Sequence, residues 1–296
     1  MEIDRKELKR QAREAMKLPV PRFWLVTLIY LLATTGVSMA AEYIPMGDAQ
    51  SGLGFTSLFL SILISLYTMV VRFGFQLWSL WTHRRLDPGL GSLMQGFSVS
   101  GRVILMEIQI FLCTMGWSLV LSIAAGVPMG LMLLFAGDLP FLFIILMLFW
   151  AGVVIIASTL IRLRYCMAPF FLADRPEDGS TAAVRRSVDM TKGWKWELFK
   201  LEVSFWGWDI LNFLLSLLVL VPFLAAHVSL LFSLDLNTVN GTLQTIQQVI
   251  YDPLPYILST LVAVPLSLWL EPYRCVSRAG FYDARLQIQQ ESAPEL

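Results

Sequence analysis

The residues best placed to do chemistry lie inside the apolar part of the chain. A polar row follows the second apolar segment, with members four, four, three, four, four and three residues apart: Ser57, Ser61, Ser65, Thr68, Arg72, Gln76 and Ser79. This spacing places all of them on one face of an α-helix. Unsatisfied polar groups are costly in hydrocarbon, so this face is expected to avoid lipid and to contact protein or a polar cavity.

Three other intramembrane side chains could accompany Arg72. Asp209 is the deepest carboxylate, Asn212 lies on the same helical face three residues later, and Glu107 lies near the boundary of the third apolar segment. An unpaired charge within a membrane is costly, so Arg72 is predicted to pair with Asp209 or with Glu107. The alternative is that Arg72 extends to the headgroups, while Asp209 is protonated or hydrogen-bonded within its own helix.

The usual signatures of catalysis are missing from the sequence. No HExxH, GxSxG, P-loop or GxGxxG string occurs. His83 and His227 fall at opposite ends of apolar segments, and the three cysteines show no CxxC spacing, so a metal site is not expected. The sequence therefore predicts no catalytic residues, no metal and no cofactor, and the protein is predicted not to be an enzyme.

The composition predicts a membrane protein. Of 296 residues, 56% are hydrophobic and 15% are charged, whereas a soluble protein carries about 25% charged residues. The apolar residues form six blocks long enough to cross a bilayer, over residues 23–41, 55–81, 103–125, 139–161, 198–226 and 254–270. The predicted fold class is all-α, a polytopic transmembrane helical bundle in a single membrane domain over residues 1–296.

The distribution of basic residues predicts the orientation of this bundle. The loops after the first, third and fifth spans contain none of the 22 Lys and Arg residues. The positive-inside rule then places both termini in the cytosol. A cleavable signal peptide is the alternative for the first span, since Ser38-Met39-Ala40 resembles a cleavage site, but the long charged helix before it favours an uncleaved anchor.

Two basic amphipathic segments flank the spans. Residues 1–22 are predicted to form an N-terminal helix capped by Asp4. Residues 162–197 are predicted to form a cytosolic link with a helix from Thr181 to about Thr191, which Ser180 caps and in which Arg185 can pair with Asp189. The basic and aromatic residues of this link are Arg185, Arg186, Lys192, Trp194, Lys195 and Trp196. We expect both helices to lie in the membrane interface, with apolar sides toward acyl chains and basic sides toward anionic headgroups. The alternative is a cytosolic connector with a solvated basic face. Residues 286–296 are predicted to be a C-terminal tail.

Five strings of the sequence resemble one known family. They are RKELKRQAREAM from Arg5, YCMAPFFLAD from Tyr165, RRSVDMTKGWKWELF from Arg185, SFWGWDIL from Ser204 and LWLEPYRCVSRAGFYDARL from Leu268. Together they resemble the domain-of-unknown-function 975 family of bacterial polytopic membrane proteins, except for a long insertion over residues 219–255. The resemblance implies a multi-pass protein of the bacterial cytoplasmic membrane. It implies no catalytic residues.

These observations favour a binding role over catalysis. The basic helices and hairpins also suggest three parallel helix-plus-hairpin repeats, although any hairpin with a basic side would look similar. We expect a non-enzymatic membrane-embedded binding or scaffold component that contacts lipid headgroups or a protein partner. Nucleic acid is not an expected partner, because the basic residues flank spans. The alternative function is a small transporter or lipid-handling protein that uses the polar face around Arg72 and Asp209.

Overall fold

The computed structural model describes residues 4–18, 21–42, 53–133, 140–232 and 253–292, and these residues form helices without any strand. The helices are α1 (Arg5–Ala15), α2 (Phe23–Leu31), α3 (Val37–Glu42), α4 (Leu53–His83), α5 (Gly91–Ser98), α6 (Ser100–Leu133), α7 (Pro140–Leu163), α8 (Ala168–Asp174), α9 (Gly179–Thr191), α10 (Lys195–Phe232) and α11 (Pro253–Ser292). A π-helical turn joins α2 to α3, and a 3-10 turn precedes α9.

Six helical segments are long and apolar enough to cross a membrane. They are Phe23–Ala41, Leu58–His83, Ser100–Gly126, Ile144–Asp174, Lys195–Phe223 and Leu254–Glu291. The predicted all-α fold class with six spans is thus confirmed, and the composition is that of a multi-pass membrane protein. The loops without Lys and Arg lie mainly outside the described residues. The N-in/C-in orientation and the three repeats stay predictions.

The chain divides into two compact units. One unit comprises Met1–Leu201 together with Tyr273–Leu296, and the other comprises Glu202–Pro272. In the second unit the rings of Trp208 and Trp269 meet edge to face, with centroids 5.2 Å apart. α11 continues as a helix through the start of the predicted tail to Ser292.

The buried core of the first unit surrounds the second half of α4. Phe73, Trp78 and Leu80 are almost completely buried, whereas Leu58 and Phe59 in the first half are exposed. α4 has 31 residues and is therefore about 46 Å long, which exceeds the hydrocarbon thickness of about 30 Å. The helices around its buried end (α1, α8, α9 and the part of α11 after Tyr273) are called the helical cap below.

The structure corrects the prediction for the apolar faces of the two basic helices. Leu8 and Ala12 of α1 are buried, as are Val184 and Met190 of α9. α1 packs on α4, and α9 packs on α6 and α8. Because these faces are covered by the protein itself, they cannot also enter the acyl chains. Contact of the basic sides with headgroups stays a prediction.

The ends of α1 and α9 agree only in part with the local signals in the sequence. The Asp4 cap is confirmed, since its Oδ1 accepts a hydrogen bond of 2.9 Å from the Lys6 amide. α9 begins at Gly179, so Ser180 is its second residue instead of its cap. Gly193 follows α9 with a φ of 80°, the left-handed conformation that favours glycine after a helix end.

Candidate functional site

A cluster of charged residues in the helical cap joins three distant parts of the chain. The Arg84 guanidinium donates to both oxygens of Asp174, from Nη1 at 2.6 Å and from Nη2 at 2.8 Å. It also donates to Asp283, from Nη2 at 2.7 Å and from Nε at 3.2 Å. Arg84 follows α4, Asp174 ends α8 and Asp283 lies on α11. The Arg84 guanidinium therefore links the end of α4 to both α8 and α11.

Three aromatic side chains border this cluster: Tyr282, Phe171 and His83. The Tyr282 hydroxyl donates to Asp174 Oδ2 at 2.9 Å. Its ring meets the Phe171 ring edge to face at 5.0 Å. His83 Nε2 lies 3.9 Å from Asp283 Oδ2. A β-carbon added at Gly280 would approach the His83 ring to 2.9 Å, so a larger residue there would force this ring to move.

The electrostatics of the cluster are those of an ion pair held away from most solvent. The hydrogen bonds that Arg84 donates to Asp174 and to Asp283 raise the pKa of Arg84 above its usual value, although burial of the guanidinium opposes this. Arg84 keeps 30% of its side chain exposed, and the two carboxylates keep 22% and 18%. Charge-assisted bidentate pairs are among the strongest hydrogen bonds in proteins. The cluster is therefore suited to fixing geometry, and both carboxylates are engaged by a cation.

A second set of contacts anchors α9 to the end of α7. Ser187 is fully buried; its hydroxyl donates to the Arg164 carbonyl at 3.0 Å and accepts from the Met167 amide at 3.2 Å. Thr191 donates to the Ser187 carbonyl at 2.9 Å, which keeps its buried hydroxyl satisfied. These bonds satisfy backbone groups where the chain turns between α7 and α8.

α11 also holds the end of α9. The Arg285 guanidinium lies over the Trp194 ring, 4.3 Å from its centroid. Its Nη2 donates to the Met190 carbonyl at 3.4 Å. A cation at a helix C-terminus interacts favourably with the helix dipole, and stacking on Trp adds a cation–π contribution. Arg285 therefore positions α9 and the cluster relative to each other.

An open cavity of about 550 Å³ adjoins the cluster. It is lined by Phe171, Asp174, Arg175, Arg186, Asp189, Tyr282, Leu286, Gln289 and Gln290. Arg186 pairs with Asp178. Arg175 and Asp189 are exposed, and no ion pair within the described part of the chain holds either side chain. The cavity is of a size that binds small molecules or peptide segments, and it offers a ligand one available cation and one available anion.

The predicted partners Arg72 and Glu107 are neighbours without a direct bond. Arg72 is exposed and Glu107 is half-buried. No ion pair within 4.0 Å joins them among the described residues. On the same face, the Ser65 hydroxyl donates to the Ser61 carbonyl at 2.8 Å. Hydroxyls on this face can thus be satisfied by their own helix.

The other two intramembrane candidates lie in the second unit. Asp209 is exposed on α10. The buried Oδ1 of Asn212 accepts no hydrogen bond among the described residues. Arg72 belongs to the first unit, so its pairing with Asp209 stays a prediction.

The predicted basic and aromatic residues of the link differ in their surroundings. Arg185, Lys192 and Trp196 are exposed, whereas Arg186, Trp194 and Lys195 are half-buried. Trp196 stacks on Phe199 at 5.2 Å. The predicted ion pair between Arg185 and Asp189 does not form among the described residues. Arg186 of α9 instead pairs with Asp178, which directly precedes the helix.

Sequence reasoning missed the cluster in the helical cap. Arg84 is 90 residues from Asp174 and 199 residues from Asp283, so no local periodicity connects them. The signal that could have drawn attention is a charged residue directly after an apolar segment. Asp174 and Asp283 also lie in two of the strings that resemble the known family.

Comparisons with known proteins agree with this resemblance. No curated protein and no solved structure matches the chain. The model of the family described as "Protein of unknown function (DUF975)" matches residues 1–289. The match covers nearly the whole chain, and the protein therefore belongs to the DUF975 family.

Proposed function

We propose that the protein is a non-enzymatic membrane-embedded binding or scaffold component, and that the cavity of its helical cap holds a polypeptide segment of a partner protein. The observation that carries the proposal is the open cavity beside the Arg84 cluster. One wall is fixed by ion pairs that join α4, α8 and α11. The lining also presents the available charges of Arg175 and Asp189.

The chemistry of the lining favours a polypeptide over an anionic lipid headgroup. Its charged members are two arginines and two aspartates, so the lining carries no excess positive charge. Phe171, Tyr282 and Leu286 add apolar surface, while Gln289 and Gln290 supply amides that can bond to a peptide backbone. A site for a headgroup phosphate would be expected to contain several arginines close together without neighbouring carboxylates. An extended segment with one acidic and one basic side chain fits this lining.

The fixed wall supports binding in a second way. Asp174 accepts hydrogen bonds from Arg84 and Tyr282, which holds its carboxylate in place before any ligand arrives. A binding surface ordered in advance loses less conformational entropy when the ligand binds. The two carboxylates of the cluster are already engaged, which supports a binding role more than acid–base catalysis.

Native mass spectrometry of the protein extracted with its own lipids tests the proposal. The double variant Arg175→Glu, Asp189→Lys reverses both available charges of the cavity lining. Arg185→Glu is the matched control, because Arg185 is exposed on α9, as Asp189 is, but does not line the cavity. The expected result is a retained polypeptide that is lost from the double variant and kept by the control.

Two other outcomes would replace the proposal. A retained lipid that is lost from the double variant would assign the cavity to headgroups. A retained small molecule that is lost on Arg72→Ala or Asp209→Ala would favour the transporter hypothesis. That hypothesis keeps one supporting observation, which is the exposed Arg72 side chain on a helix that is long and apolar enough to cross a membrane.

A further inference from the structure

The short helix α5 is pressed tightly against α4. A β-carbon added at Gly74 would lie 2.9 Å from Leu93 Cα, and one added at Gly96 would lie 2.7 Å from the Val70 carbonyl oxygen. Neither position has room for a side chain. The backbones therefore meet directly, and this close packing fixes which side of α5 faces α4.

The order of contacts gives the direction of α5. Leu93 meets Gly74 and Gly96 meets Val70, and the rings of Phe97 and Tyr67 lie 6.1 Å apart. Residue numbers rise along α5 as they fall along α4, so the two helices are antiparallel. Tyr67 precedes His83 by 16 residues, about 24 Å along α4. α5 thus turns back deeply along a helix that is itself long and apolar enough to cross a membrane.

The reversal between the two helices is sharp. Arg85 and Asp87 adopt φ angles of 59° and 46°. These are left-handed conformations that residues other than glycine adopt uncommonly. They bring the chain from the end of α4 to the start of α5 within seven residues, 84–90.

The outer side of α5 carries an exposed apolar row. Leu90, Met94 and Phe97 are 38%, 64% and 41% exposed. They are four and three residues apart, which is the spacing of one helical face. Gln95 and Ser98 of the same helix are exposed as well. Arg85 and Arg102, on either side of this row in the sequence, are exposed as well.

We propose that α5 is a re-entrant helix and that acyl chains of the bilayer cover its outer face at Leu90, Met94 and Phe97. The segment connects two candidate spans directly, so neither end can move far from the membrane. The apolar row suits hydrocarbon, and the arginines before and after it in the sequence suit anionic headgroups. α5 is helical, so part of its backbone is hydrogen-bonded internally, and the amides of Ser92 and Leu93 at its start donate to the carbonyls of Gly89 and Leu90. The inference is independent of the binding role proposed for the cap.

Site-directed spin labelling in lipid nanodiscs tests this assignment. Each residue from 90 to 98 except Gly96, which has no room for a side chain, is replaced singly by cysteine in a background without Cys113, Cys166 and Cys275, and is labelled with a nitroxide. Power saturation then compares collisions with oxygen, which concentrates in lipid, and with a water-soluble nickel chelate. Positions 90, 94 and 97 are expected to show high oxygen and low nickel accessibility, while the buried positions 92 and 93 show little of either. If replacing the buried Cys275 prevents folding, it is retained, since its burial slows labelling.

Control positions set the scale and define the contrary results. Glu177→Cys in the turn before α9 should show high nickel accessibility, and Ile145→Cys on α7 should show high oxygen accessibility, since both side chains are exposed. High nickel accessibility at positions 94 and 97 would overturn the proposal by placing α5 in water. Low accessibility to both reagents at these positions would overturn it in favour of contact with protein, such as a second copy of the chain.

Discussion

Replacing Arg84 by alanine should destabilise the helical cap more than any other single change of a charged residue in it. The change removes five hydrogen bonds to two carboxylates. It also leaves Asp174 and Asp283 close together without a cation. Breaking a fully buried pair costs about 3–5 kcal/mol, and an exposed pair contributes about 0.2–1 kcal/mol. With 30% of the Arg84 side chain exposed, we expect a loss of about 3 kcal/mol.

The assay is thermal unfolding in one fixed detergent, followed by tryptophan fluorescence. For a chain of this size about 1 kcal/mol corresponds to roughly 2–4 °C, so Arg84→Ala should lower the Tm by about 6–12 °C. Arg84→Lys should lower the Tm by less, because lysine keeps the positive charge. It should still lower the Tm, because lysine cannot form the bidentate contact with Asp174. Arg185→Ala serves as the control, since Arg185 is exposed on the surface of the same cap.

A double-mutant cycle separates the ion pair from a general loss of packing. Arg84→Ala and Asp174→Ala should be coupled by about 1–3 kcal/mol, because each removes the other's partner. Additive losses would refute the reasoning, as would a Tm for Arg84→Ala that matches the Arg185→Ala control. Either result would mean that solvent or neighbouring groups replace the pair.

Three further predictions follow from the packing and the charge pattern. Gly74→Ala should lower the Tm and raise proteolysis within α5, because a β-carbon there overlaps the Leu93 backbone; Gly101→Ala, which meets no atom within 4 Å, should not. Ser187→Ala should cost about 1–3 kcal/mol of unfolding free energy, because the buried Arg164 carbonyl and Met167 amide lose their shared partner, and equal stability would contradict this. Reporter fusions at both termini should be active only in the cytosol, and a terminus reporting from the other side would refute the charge-based orientation.

Much of the membrane architecture follows from short stretches of sequence. An apolar block of about 20 residues forms a spanning helix wherever it lies in the chain, because the bilayer leaves its backbone no other way to be satisfied. Local end signals act in the same way: the Asp4 side chain reaches an amide two residues away, and Gly193 adopts its left-handed conformation directly after α9. These features depend on neighbours in sequence and could be predicted from them.

The amphipathic helices show where local pattern stops being sufficient. A helix with one apolar face must bury it, but the pattern does not say whether lipid or protein provides the cover. The sequence suggested lipid for α1 and α9, and the structure covers both faces with neighbouring helices. In α5 the buried Leu93 and Gly96 face α4, while Met94 is exposed within the protein itself.

The sequence by itself determined the six apolar helices and the concentration of basic residues beside them, because bilayer thickness and helix periodicity act within one segment. Only the tertiary structure brought Arg84, Asp174 and Asp283 together, since their contacts join positions up to 199 residues apart. The close fit of Gly280 against His83 likewise depends on how α11 meets the end of α4. Such contacts are decided by the packing of whole helices, which no local spacing encodes.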